Sequence, residues 1–83
     1  MYSLKDKTFI VTGAASGLGK QIAENLVKKE KARVICLDKT YVKSELLKDN
    51  YKIDFSKIES LHNKISKILK KYKKIDGLVN CAA

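Results

Sequence analysis

A short apolar run that ends in a glycine-rich turn constrains the fold of this chain more than any other part of its sequence. Residues Thr8–Thr12 are all β-branched or aromatic, which is typical of a buried strand. Gly13 and Gly17 come next, before an amphipathic segment, Leu18–Lys29, that includes Gly19. We predict a strand, a tight turn and a helix whose apolar face is formed by Leu18, Ile22, Leu26 and Val27.

Predicted strands and helices alternate along the rest of the chain. In chain order they are a strand over Arg33–Leu37, a short helix over Tyr41–Asn50, a strand over Tyr51–Ile53, a helix over Ile58–Tyr72 and a strand over Asp76–Asn80. Ser56 is predicted to cap the longer helix, and Glu59 completes the pattern of a capping box.

This alternation predicts the fold class. Strands that alternate with helices favour an α/β fold in which a parallel sheet carries helices on both faces. We expect a single domain over residues 1–83, a three-layer Rossmann-type half fold with strand order 3-2-1-4. Ligands of such sheets bind beyond the carboxyl ends of the strands, at the switch point where the chain direction reverses between strands 1 and 4.

The three glycines suit a turn that holds a pyrophosphate. Gly13 is able to adopt a positive φ, Gly17 lets a phosphate approach the main chain, and Gly19 lets the helix pack closely on the sheet. Unpaired N–H groups at the start of the helix would then face the anion. A glycine-rich turn also occurs without a ligand, but the flanking strand and helix favour binding here.

An acidic residue at the end of the second strand predicts which dinucleotide is bound. Asp38 lies nineteen residues beyond Gly19, where a carboxylate accepts hydrogen bonds from the adenosine ribose and repels a 2′-phosphate. Lys39, in contrast, would favour NADP, because a basic residue there could partner the 2′-phosphate. Ser16, and not a basic residue, precedes Gly17, so we favour NAD over NADP.

These residues carry a resemblance to a known family. TGAASGLG, from Thr12 to Gly19, resembles the TGxxxGxG cofactor signature of short-chain dehydrogenases/reductases, and IDGLVNCAA, from Ile75 to Ala83, is similar to their fourth strand and NNAG motif. Cys81 and Ala83 depart from that second motif. The resemblance implies an NAD-binding Rossmann fold, with Asp54 on the adenine ring. The implied cofactor-binding residues are Gly13, Ser16, Gly17, Leu18, Gly19, Asp38, Asp54, Asn80 and Ala82.

The family's catalytic residues have no counterpart in this chain. Family members move a proton with a Tyr and a Lys four residues apart, whereas Tyr2, Tyr41, Tyr51 and Tyr72 are followed at that spacing by Asp, Glu, Phe and Asp. We therefore assign no catalytic residue. Two hypotheses remain open: the chain is the NAD-binding portion of an oxidoreductase that acts on an alcohol or carbonyl, or it is a stand-alone nucleotide-binding or assembly module without redox activity.

Charge and composition bear on partners and compartment. The formal net charge is +9, but seventeen of the eighteen basic residues are Lys, so we expect a solvated surface and neither nucleic-acid nor membrane binding. Cys36 and Cys81 fall in strand-like runs, which favours reduced thiols and a cytoplasmic location. We expect self-association through the fourth strand, because no charged residue lies within Gly77–Ala83 to protect its edge.

Overall fold

The computed structural model describes residues 3–81, which form a parallel sheet between two helices. The elements are β1 (Thr8–Thr12), α1 (Gly17–Lys28), β2 (Arg33–Asp38), β3 (Asp49–Lys52), α2 (Ile58–Tyr72) and β4 (Gly77–Asn80). The strand order is β3-β2-β1-β4, so the predicted α/β class and the predicted order 3-2-1-4 are confirmed.

All three strand pairings are parallel, and this brings the carboxyl ends of the strands to one edge of the sheet. Thr12, the last residue of β1, lies level with Leu37 in β2 and with Asn80 in β4. Asp38 lies level with Lys52 in β3. The residues that follow the strands therefore meet at this edge, on either side of β1.

Each face of the sheet carries its own apolar core. Alternate residues of a strand point to opposite faces, so Val11 packs on the α1 side and Ile10 on the α2 side. The α1 side also buries Ala23, Val34, Cys36, Val42 and Leu47, and the α2 side buries Ile35, Leu37, Ile53 and Ile68. The sheet is thus the middle one of three layers.

The apolar face of α1 differs from the predicted one. Its buried residues are Gly19 and Ala23, with Leu26 and Val27 partly buried against the same core, whereas Leu18 is 67% exposed. Small residues bring the helix axis close to the sheet, so the line of contact follows Gly19 and Ala23 at four-residue spacing. The large side chain of Leu18 lies outside this line of contact and faces solvent.

The predicted helix over Tyr41–Asn50 is wrong. Residues 41–48 follow an irregular path, and β3 begins at Asp49, two residues before the predicted start of the third strand. Val42 and Leu47 are buried in the α1-side core, and the Asn50 side chain accepts a hydrogen bond from the Val42 N–H and donates one to the Leu47 carbonyl. These tertiary contacts replace the hydrogen bonds that a weakly amphipathic helix would have formed.

The predicted capping box of α2 is also wrong. The N-cap residue is Lys57, and no side chain caps this helix. The hydroxyl and the N–H of Ser56 both donate to the Asp54 carboxylate, at 2.7 Å and 3.0 Å, so Ser56 is engaged in a turn that precedes the helix. The helix range Ile58–Tyr72 itself is as predicted.

None of the helices in the described part of the chain is both long enough and apolar enough to cross a membrane.

Candidate functional site

A cleft of about 920 Å³ lies at the carboxyl ends of the strands. Its polar wall comes from the ends of β1, β2 and β4 and from the turn before α1, and it includes Thr12, Gly13, Ser16, Asp38 and Asn80. Its apolar wall continues onto the α2 face of the sheet, with Leu37, Phe55, Ile65 and Leu78. A ligand in this cleft would contact polar groups at one side and apolar side chains at the other, as is usual for small-molecule sites.

The turn between β1 and α1 depends on glycine at three positions, each for a different reason. Gly13 and Gly17 have φ angles of 68° and 59°, a region that other residues adopt at a cost. A Cβ on Gly17 would have no atom within 4 Å, so its outer side is open space. A Cβ on Gly19 would lie 2.8 Å from the carbonyl carbon of Gly13, so only glycine allows α1 to begin so near the end of β1.

The start of α1 is open toward the cleft. Its N-cap residue, Ser16, has extended backbone angles and makes no side-chain capping hydrogen bond, and the first turn contains no acidic residue. Residues 16–18 are exposed. The N–H groups of a first helical turn have no partner within the helix, and they carry the positive end of its dipole. This arrangement is suited to an anion.

Asp38 connects the end of β2 to this turn. Its Oδ2 accepts a hydrogen bond from the Ala15 N–H at 3.0 Å, and its Oδ1 accepts one from the Thr40 N–H at 3.3 Å. The Gly13 N–H donates to the carbonyl of Leu37 at 2.9 Å. The turn is therefore bound to the end of β2 at two points. Asp38 is half-buried, and the exposed Lys39 lines the same cleft beside it.

Thr12 joins the ends of β1 and β4, a role that the sequence analysis missed. Its hydroxyl lies 2.7 Å from the Asn80 Oδ1, to which it donates, and accepts a hydrogen bond from the Cys81 N–H at 3.1 Å. The side chain is buried beneath the cleft, with 7% exposed. A threonine that directly precedes the turn glycine was a usable signal, but its partners lie 68 and 69 residues along the chain.

The segment after β3 contributes an aromatic side chain to the cleft. Phe55 and Ser56 line it, whereas Asp54, the residue predicted to contact adenine, does not. The hydroxyl of Ser56, then its N–H, hold the pKa of the Asp54 carboxyl below its usual range. Asp54 is therefore a carboxylate at neutral pH, and it accepts hydrogen bonds from Ser56 within its own turn. Phe55 was missed by the sequence analysis, although an aromatic residue shortly after the end of β3 was a signal for it.

The structure brings several of the predicted site residues together and leaves others apart. Gly13, Ser16, Asp38 and Asn80 line the cleft. Gly17 and Leu18 are exposed at the start of α1, and Gly19, the third residue of the helix, is buried. Ala82 lies outside the described residues. The sequence signature thus corresponds to one continuous region of the molecule, from the end of β4 across the turn to the end of β2.

Comparisons with known proteins agree with this fold. A family model described as short chain dehydrogenase matches residues 7–83. An NAD-dependent glycerol dehydrogenase of Listeria innocua is 39% identical in an alignment of 88 positions that covers 98% of this chain and 34% of that protein. A sorbitol-6-phosphate 2-dehydrogenase of Klebsiella pneumoniae is 36% identical over 83 residues, which cover 96% of this chain and 31% of that protein.

A solved structure gives the same result. The ligand-free aldohexose dehydrogenase of Thermoplasma acidophilum superposes with a TM-score of 0.86 at 36% identity, covering 96% of this chain and 31% of that one. The chain thus spans about a third of the length of the relatives that it matches. The glycine turn, the strand order and these matches together show that the chain belongs to the short-chain dehydrogenase family, of which it represents the N-terminal, cofactor-binding region.

Proposed function

We propose that this chain is the NAD-binding portion of an oxidoreductase that transfers hydride between NAD and an alcohol or carbonyl compound. The observation that carries the proposal is the position of the Asp38 carboxylate, in the same cleft as the uncapped start of α1. When bound, NAD accepts or donates the hydride. The residues of this chain bind and orient it.

The start of α1 is proposed to hold the pyrophosphate. The open space at Gly17 leaves room for a phosphate to reach the main chain, and the free N–H groups of the first turn supply hydrogen-bond donors. Gly19 keeps this helix start close to the sheet. A side chain at either position would fill the space or move the helix.

The adenosine half is proposed to lie between Asp38 and the apolar wall. The Asp38 carboxylate accepts hydrogen bonds from the ribose hydroxyls and repels a 2′-phosphate, which favours NAD over NADP. Phe55 and Leu37 offer apolar surface beside it. Asp54 follows β3 and is proposed as an acceptor for the adenine amino group through its Oδ2, because both hydrogen bonds from Ser56 end on its Oδ1.

The other end of the cleft is proposed to receive the part of NAD beyond the pyrophosphate. Asn80 lines the cleft there, and Thr12 holds its side chain in place. Ala82 stays a proposed cofactor-binding residue on the strength of the sequence motif alone. The turn at Ser16 and Leu18 would close over the pyrophosphate from the α1 side, since both are exposed at the helix start.

Substrate and proton transfer belong to the complete enzyme in this proposal. No Tyr of this chain has a Lys four residues later, so we expect these 83 residues to bind the cofactor without turning over an alcohol or ketone. The alternative remains a stand-alone nucleotide-binding or assembly module. The two differ in whether this region supports catalysis when it is joined to the rest of a family member.

A chimera tests the proposal. Residues 7–83 replace the matching region of the Listeria innocua glycerol dehydrogenase, and NAD-dependent oxidation of glycerol is measured beside NAD binding. We expect activity, and we expect it to be lost in the matched chimera that carries Gly17→Leu, because that side chain occupies the phosphate space. A well-folded chimera that binds no NAD would contradict the proposal.

We also propose that the chain self-associates through β4. Within the described residues β4 pairs with β1 alone, and Leu78 is 65% exposed on the α2 side of the sheet. An uncharged strand edge beside an exposed apolar side chain favours a contact with a second copy, by strand pairing or by packing of side chains.

A further inference from the structure

The glycine turn is fastened to β2 by two hydrogen bonds of different kinds. The bond from the Gly13 N–H to the Leu37 carbonyl joins two main-chain groups. The bond from the Ala15 N–H to the Asp38 Oδ2 depends on one side chain. Of the two, only the second is removed by a substitution that leaves the backbone unchanged.

The rest of the turn receives little support from side chains. Ser16 makes no capping hydrogen bond at the start of α1, and residues 16–18 are exposed. Gly13 and Gly17 have the widest backbone freedom of any residue type. Ala14 is buried in the α1-side core, but it lies before the segment that would face a phosphate. Ala15 packs partly against the same core, and its hydrogen bond to Asp38 restrains the turn directly before the exposed residues 16–18.

We infer that Asp38 is a positioning residue for the pyrophosphate turn as well as the acceptor for the adenosine ribose, so that one carboxylate couples the two halves of the cofactor site. The inference rests on the proposed function, because it concerns the same cleft. It adds that Asp38 shapes the binding of the phosphates, which it does not touch, by holding the Ala15 N–H.

Both roles are compatible with a single carboxylate. An ionised carboxyl group has about four lone-pair positions on its two oxygens. The Ala15 N–H occupies one on Oδ2, and the Thr40 N–H occupies one on Oδ1. One position on each oxygen remains for the ribose hydroxyls, so the ribose binds without releasing the turn. The turn is then already formed before the ligand arrives, which reduces the ordering cost of binding.

The two roles predict opposite changes in the affinity for inorganic pyrophosphate, a ligand that has no ribose. If Asp38 served the ribose alone, removing its negative charge would leave pyrophosphate binding unchanged or strengthen it, since like charges repel. If Asp38 holds the turn, removing the acceptor weakens pyrophosphate binding in spite of the lost repulsion. The direction of the change in pyrophosphate affinity therefore distinguishes the two hypotheses about Asp38.

The experiment is calorimetric titration of the wild type, Asp38→Ala and Asp38→Asn with sodium pyrophosphate and, separately, with NAD. We expect Asp38→Ala to bind pyrophosphate about three- to tenfold more weakly than the wild type, as the loss of a hydrogen bond to a charged acceptor implies. Asp38→Asn keeps an acceptor oxygen without the charge, and we expect it to bind pyrophosphate at least as tightly as the wild type. Asp38→Leu takes the place of Asp38→Ala if the latter does not fold.

Amide hydrogen exchange of Ala15 in the ligand-free proteins gives a second readout. We expect faster exchange in Asp38→Ala and wild-type protection in Asp38→Asn. Pyrophosphate affinity in Asp38→Ala equal to or above that of the wild type, while the wild type binds NAD, would overturn this inference alone. A folded wild type that binds neither ligand would overturn the proposed function and this inference with it.

Discussion

Gly19 faces the main chain of Gly13 so closely that a Cβ on Gly19 would lie 2.8 Å from the Gly13 carbonyl carbon and 3.1 Å from the Cβ of Cys81. The ends of β1 and β4 and the start of α1 thus meet at one crowded point. The cleft lies directly beside it, and Gly13 and Cys81 are among the residues that line it. Packing at Gly19 therefore determines where the helix start is placed relative to the cleft.

Gly19→Ala is expected to destabilise the protein by about 1–3 kcal/mol, because the methyl group has to displace main-chain atoms. Urea denaturation followed by circular dichroism measures this. Gly17→Ala is the matched control in the same turn, since its Cβ would meet nothing within 4 Å. That control still carries the cost of a left-handed residue, about 1–2 kcal/mol. A Gly19→Ala protein as stable as the wild type would contradict the packing account.

Acid is expected to destabilise the fold through two aspartates. The Thr8 N–H holds the pKa of Asp76 below its ordinary value of 3.8, and Ser56 does the same for Asp54. In both cases the folded state binds protons less readily than the unfolded chain, so the contribution to stability is complete above pH 3.8 and is lost as the pH falls through the lower folded-state pKa. We expect the urea midpoint to fall as the pH is lowered from about 5 to about 2.

Asp76→Asn is the control for this acid effect. The variant has no carboxyl group to titrate at the junction of β1 and β4, so we expect a smaller fall of the urea midpoint over the same pH range. An identical fall in the variant and the wild type would show that Asp76 does not contribute to it.

The two thiols are expected to differ widely in reactivity. Cys36 is 1% exposed, and burial, assisted by the charges of Asp49 and Asp38, raises the pKa of its thiol from 9.0 to about 12. Its thiolate fraction at neutral pH falls about a thousandfold as a result. Cys81 is half-buried at the end of β4 and lines the cleft. In a disulfide-exchange assay of the native protein we expect one fast thiol, Cys81, and a second one after unfolding. Fast labelling of native Cys81→Ser would contradict this assignment.

Leu78→Lys is expected to reduce self-association, since it places a charge on the exposed side of the β4 edge. Sedimentation velocity over a range of concentrations measures the mass. We expect the mass of the wild type to increase with concentration and the variant to stay monomeric. Glu59→Lys in α2 makes the control, because it changes the charge in the same sense, away from β4. A folded wild type that stays monomeric at the highest concentration would disprove the β4 proposal.

The sequence predicted the frame of the fold because that frame depends on local patterns. The run Thr8–Thr12, the glycine turn and the periodicity of Ile58–Tyr72 each indicate their own structure, and the alternation of elements then leaves few sheet topologies. The positive φ of Gly13 and the close packing at Gly19 followed from the same turn and are observed.

The features that the sequence did not predict depend on contacts between distant residues or on competition between local ones. Thr12 binds partners in β4, and no pattern of residues near Thr12 indicates them. Ser56 fits a capping position, but Asp54 two residues earlier offers its hydroxyl a closer partner. The segment over residues 41–48 is held by burial of Val42 and Leu47, which overrides its weak helical periodicity.

The most direct test of the proposed NAD site is calorimetric titration of the wild type and Asp38→Ala with NAD and with NADP. We predict weak binding of NAD, weaker binding of NADP because its 2′-phosphate is repelled by Asp38, and a loss of about ten- to a hundredfold in NAD affinity for Asp38→Ala. Equal affinity of the folded wild type for the two dinucleotides would contradict the role of Asp38. Absence of any binding to a folded wild type would contradict the cofactor site itself.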